Sequence, residues 1–144
     1  MSEKLCTLRT KGGGGGKYTE TSLWTNPSPS SDFAAQTITL SDDMDNYEYI
    51  KIKYCFSASY NTGNYLSDYI ISVDELKKSP YPEASGTARL NFSLARMNTS
   101  NVACYRKFYY ASSTTVRFGS TDTNALIPFE ILGLNEVNHP GREP

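Results

Sequence analysis

Between residues 47 and 57 the chain alternates without a break. Ile50, Ile52, Tyr54 and Phe56 fall on one side of an extended backbone, and Tyr49, Lys51, Lys53 and Cys55 fall on the other. Successive side chains of a strand point to opposite faces, so this pattern requires a strand with one dry face and one solvated face. Such a strand cannot stand alone: its backbone needs hydrogen-bonded neighbours, and its apolar face needs a second layer. The alternation returns at 87–97, with Ala88, Leu90, Phe92 and Leu94 opposite Arg89, Asn91 and Ser93. It returns again at 102–111, with Cys104, Phe108 and Tyr110 opposite Tyr105, Lys107 and Tyr109. No segment keeps a helical period beyond two turns.

Turn chemistry punctuates these runs. The clusters at 26–31 (NPSPSS), 41–46 (SDDMDN), 61–64 (NTGN), 98–101 (NTSN) and 121–124 (TDTN) combine Asn, Asp, Ser, Gly and Pro, the residues that close turns. Strands are expected between them at 21–25, 34–40, 47–57, 65–73, 87–97, 102–111, 114–119 and 125–134, with 47–57 and 65–74 paired as a hairpin. A single helical turn is expected within 74–79, stopped by Pro80 and Pro82. Pro128 places the last strand at an edge or in a bulge, because proline cannot donate to a ladder. The fold class that follows is all-β: an antiparallel β-sandwich or jelly roll of about eight strands. Residues 1–17 read as a leader with a hinge at Gly12–Gly16, 18–134 as the sandwich, and 135–144 as a flexible tail.

Charge and cysteine usage narrow the function. Fourteen basic and fifteen acidic residues leave a net charge of −1, which removes the usual basis for binding nucleic acid or an anionic membrane. No apolar run approaches the ~20 residues of a membrane span, so no membrane insertion is expected. The first ten residues, MSEKLCTLRT, lack the apolar core of a secretory signal. Cys6, Cys55 and Cys104 form no CxxC pair, so neither a disulfide framework nor a zinc site is expected, and no cofactor is implied. The glycine run is a poor phosphate loop, because Gly16-Lys17 is followed by Tyr18 rather than Ser or Thr.

Catalytic chemistry finds little support. The one histidine, His139, lies beside Pro140 in the tail, where a general base has no fixed geometry. Asp42, Asp43 and Asp45 are the densest acids. A glycosidase pair or a calcium loop are alternatives there, but the calcium pattern lacks its glycine and its distal bidentate glutamate, and Asp is a natural turn residue. No enzyme is expected. The eleven tyrosines are more suggestive, since tyrosine supplies rigid contact area with a polar tip. Tyr60, Asn61, Asn64 and Tyr65 are a candidate glycan or partner contact on one loop. Tyr105, Lys107 and Tyr109, outward on one strand, are a candidate subunit interface.

The ordered motifs LWTN at 23–26, AQTITLS at 35–41, MDNYEYI at 44–50, RKFYYASS at 106–113 and IPFEILGL at 127–134 resemble a module of tailed bacteriophages. The resemblance spans residues 12–134, glycine run included, and is similar to tail-fibre, baseplate or minor structural proteins of phages and prophages of Gram-positive and gut bacteria. It implies a virion component, made in the host bacterial cytoplasm and assembled as a homo-oligomer (a trimer by preference) with other virion proteins. Contact with a host cell-surface glycan fits that role. The matching motifs are architectural and bring no catalytic residues with them. The alternative is a free-standing carbohydrate-binding module.

Overall fold

The computed structural model describes residues 17–56, 67–82, 92–97, 103–121 and 126–137. These residues form two four-stranded antiparallel sheets packed face to face. The strands are β1 (Tyr18–Thr25), β2 (Gln36–Thr39), β3 (Tyr49–Phe56), β4 (Ser67–Ser72), β5 (Phe92–Met97), β6 (Ala103–Ser112), β7 (Thr115–Thr121) and β8 (Leu126–Glu136). One sheet runs β1-β8-β3-β4 and the other β2-β7-β6-β5. The chain changes sheet four times: from β1 to β2, β2 to β3, β4 to β5 and β7 to β8. The expected all-β sandwich is therefore the observed one, and the β3–β4 hairpin pairs as expected, with Ile52 opposite Tyr69.

The alternation works as its pattern demands. Ile50 and Ile52 from β3, Leu94 from β5, Phe108 from β6, Val116 and Phe118 from β7 and Ile131 from β8 fill the space between the sheets. Trp24 packs half-buried against Phe33 and Phe118, closing one side of the core. The helical turn α1 (Val73–Leu76) is capped by the Ser72 hydroxyl, which accepts from the Glu75 N–H at 3.1 Å, and it inserts Val73 and Leu76 into the core.

Three local features of the β8 strand have identifiable causes. On β8 the register skips Phe129 between the pairs Lys53–Glu130 and Tyr54–Pro128, so Pro128 sits at a bulge in a central strand. There Asn26 replaces the departing β1: its backbone N–H reaches Phe129 O at 2.9 Å and its side chain reaches Pro128 O at 2.9 Å. β8 also continues past the expected start of the tail. Asn135 and Glu136 are strand residues, not tail, because Asn135 clamps the β3 entry by accepting from Glu48 N–H and donating to Asn46 O. The ladder ends where Val137 N–H meets Lys17 O at 2.8 Å. Third, Tyr47 lies flat across Gly133 of β8, so close that a Cβ there would stand 2.5 Å from its ring.

Arg106 is the residue that the alternation did not explain. It sits on the inward face of β6 beside Cys104 and Phe108, only 1% exposed. Its guanidinium donates to Leu126 O at 2.7 Å, Gly119 O at 2.6 Å and Phe33 O at 2.9 Å, and lies 5.3 Å from the Phe33 ring centre. Burial pushes its pKa down to about 10, so it remains charged at neutral pH. One side chain thus ties the two sheets and the β1–β2 connection together.

Candidate functional site

The two outer faces of the sandwich differ. On the β1-β8-β3-β4 sheet, Leu132 and Leu134 of β8 point outward yet are 7% and 2% exposed. Lys51 of β3 covers them by reaching over β8 to Glu20 of β1 at 3.0 Å, with Asp68 of β4 at 3.8 Å on its other side. Tyr18 and Tyr49 close the next layer edge to face, 5.5 Å between ring centres. Long polar side chains lay their stems over apolar neighbours in this way. That face is sealed by its own residues, except for Ile70 on the edge strand β4.

The outer face of the β2-β7-β6-β5 sheet is open. Tyr105 is 46% exposed and Met97 54%. The cations on this outer face are Lys107 and Arg117, and the strands of the sheet hold no Asp or Glu, in a chain with fifteen acids. A groove of about 590 Å³ lies on it, with Tyr105, Lys107 and Tyr109 of β6 along its length, Arg117 of β7 on one side and Ser93 of β5 on the other. Two features make the hollow. Between the pairs Arg106–Thr121 and Phe108–Phe118, β7 has two residues, Gly119 and Ser120, where β6 has only Lys107. A bulge of this kind bends and twists the strand locally. Gly119 also has no side chain to raise the floor: a Cβ there would touch Lys107 and Tyr109 at 3.6–3.9 Å.

Tyr81 walls the end of the groove. The chain after α1 pairs beside β6, with Tyr110 N–H donating to Ser79 O at 2.8 Å and Tyr81 N–H to Tyr110 O at 2.9 Å. This sets the Tyr81 ring 5.5 Å from Tyr109 and directly beneath Arg117, whose Cζ is 4.8 Å from the ring centre. The Arg117 Nε is shielded and has no hydrogen-bond partner. The guanidinium is thus positioned by an aromatic face rather than by a carboxylate, and none of the described residues lining the groove is acidic.

The expected interface residues Tyr105, Lys107 and Tyr109 are therefore brought together on one surface, with Tyr109 at the floor and only 9% exposed. Arg117 and Tyr81 join them without having been singled out in the sequence. Arg117 alternates with buried Val116 and Phe118, a signal that placed it outward beside Tyr109. The loop candidates Tyr60, Asn61, Asn64 and Tyr65 lie outside the described residues, as do Gly12–Gly16, Cys6 and His139.

The aspartate cluster is a turn. Asp42 accepts from Asp43 N–H, the Asn46 amide and, at 2.8 Å, the Tyr47 hydroxyl, and these bonds, led by the Tyr47 contact, hold its pKa below the usual carboxylate value. Asp43 caps the following 3-10 turn (Met44–Asn46) through Asp45 N–H and accepts from Ser113 Oγ. Asp45 pairs with Lys77 at 2.6 Å. Among the described residues no group of three or more potential ligands is placed to hold a metal. A smaller depression of about 350 Å³ beside Asp45, Glu48 and Asp74 borders this turn; two of its acids already have partners, Asp45 in Lys77 and Glu48 in the Glu136 N–H. Cys55 and Cys104 are buried thiols outside any disulfide, and burial pushes the Cys55 pKa up, away from reactivity. No helix among the described residues is long and apolar enough to cross a membrane. The chain matches no known family model, and no curated protein matches it.

Proposed function

We propose that this chain is a non-enzymatic structural protein of a bacteriophage tail, a fibre or baseplate component, that works by contact through the open face of its second sheet. The virion reading is supported by the motif order from LWTN to IPFEILGL. The contact reading rests on one observation: one outer face is covered by Lys51, Glu20 and paired tyrosines apart from Ile70 at its edge, while the other presents an aromatic, cation-lined groove. The acids at 42–45 support a non-catalytic role, since capping, hydroxyl bonding and ion pairing already engage them. Assembly as a homo-oligomer, a trimer by preference, goes with this reading, as do other virion proteins as neighbours.

Light scattering of the purified chain tests it. The expected result is a species of three times the 16.0 kDa chain mass. A monomer at every concentration overturns the fibre reading and favours a free-standing carbohydrate-binding module, the second reading that the groove tyrosines favour.

A further inference from the structure

We infer that the groove over β6 and β7 is a binding site for an acidic saccharide, with Arg117 and Lys107 taking the carboxylate and Tyr81, Tyr105 and Tyr109 taking the sugar rings. This deepens the contact reading above and rests on it.

The choice of ligand follows from what the groove offers. Its floor is the face of β6 and β7, the two middle strands of the sheet. A peptide that binds by adding a strand docks along a sheet edge, whereas this groove lies over the face of the sheet. Recognition therefore falls to side chains. Those present are three tyrosines, two cations and the hydroxyls of Ser93 and Ser120. Tyrosine presents a flat apolar ring with a polar tip, suited to the C–H face and hydroxyl rim of a sugar. The cations have no carboxylate among the described lining residues, and the whole sheet is free of acids along its strands. Arg117 stacks over Tyr81, its Cζ 4.8 Å from the ring centre, and no acidic residue stands among the described residues lining the groove. Planar guanidinium groups pair with carboxylates through two parallel bonds. The groove volume, about 590 Å³, is within the ordinary range for small-ligand sites. A neutral glycan would leave the cations unused; a nucleic acid would need a far larger basic surface than a chain of net charge −1 provides.

The test is a calorimetric or NMR titration of the full chain with trigalacturonic acid, beside its neutral counterpart galactotriose and the acidic peptide tetraglutamate. The expected result is saturable binding of trigalacturonate, weakening with added salt, and at least about tenfold tighter than galactotriose, as loss of a charge-assisted pair predicts. Arg117→Gln should lower the affinity by about tenfold. Gly119→Val tests the same site without removing charge: its Cβ meets only ordinary contacts, and its methyl groups rise into the groove. It should abolish binding while leaving the thermal midpoint close to wild type. No saturation up to about 10 mM, equal affinity for galactotriose, tighter binding of tetraglutamate, or wild-type affinity in Gly119→Val each overturns the proposal. The oligomeric state is read separately. A trimer that binds no trigalacturonate overturns the site and keeps the fibre, and a monomer that binds it does the reverse.

Discussion

A charged guanidinium inside a sandwich core persists only when its donors are matched, and Arg106 matches three of them to backbone carbonyls on β7, β8 and the β1–β2 connection. Lysine cannot serve three diverging acceptors with a planar fork. Arg106→Lys should therefore cost about 2–4 kcal/mol, read as a drop in the urea midpoint, because at least one buried carbonyl loses its partner. At the Asp42–Tyr47 pair the effect is one of pH. The Tyr47 hydroxyl is the main cause of the depressed Asp42 pKa, so this contribution is present above the ordinary carboxylate value and disappears as pH falls through the lower folded value. The stability gap between wild type and Tyr47→Phe should accordingly narrow as pH drops below about 4. A gap that stays constant in acid-series urea unfolding would mean that Tyr47 acts through packing alone.

At the scale of elements, Gly133 shows what a sheet position can demand. The Tyr47 ring occupies the space of the absent side chain, with ring atoms 2.5–2.8 Å from where a Cβ would be. Gly133→Ala should destabilise by roughly 1–3 kcal/mol, the usual range for overpacking. Adding Tyr47→Leu should recover part of that loss, measured as non-additivity in a double-mutant cycle. This contact was invisible in the sequence, since residues 47 and 133 lie on different strands and nothing local links them. The strands themselves were legible, because Ile50, Ile52 and Tyr54 alternate with Tyr49, Lys51 and Lys53 and the turn clusters separate one run from the next. Pro128 also announced its bulge, through the hydrogen bond it cannot donate. The strand β8 runs two residues into the expected tail because Asn135 acts as a clamp between strands. Half of the groove was legible for the same reason as the strands: Tyr105, Lys107 and Tyr109 share a period-2 face. Tyr81 was not, because only the pairing of 79–81 beside Tyr110 brings it there.

Taken whole, the described residues form a sandwich with one covered outer face and one open outer face, and residues 17 and 137 meet at one corner. Lys17 and Val137 are hydrogen-bonded neighbours, and β1 and β8 run antiparallel away from them. A pull between residues 17 and 137 therefore does not load the whole β1–β8 ladder at once; it unzips the rungs singly, beginning at Tyr18 and Glu136 and arriving at Thr25 and Glu130 last. Towed from one end only, the body carries no tension across its sheets. A device that must stay folded under drag is thus better suspended from a single tether than strung between two.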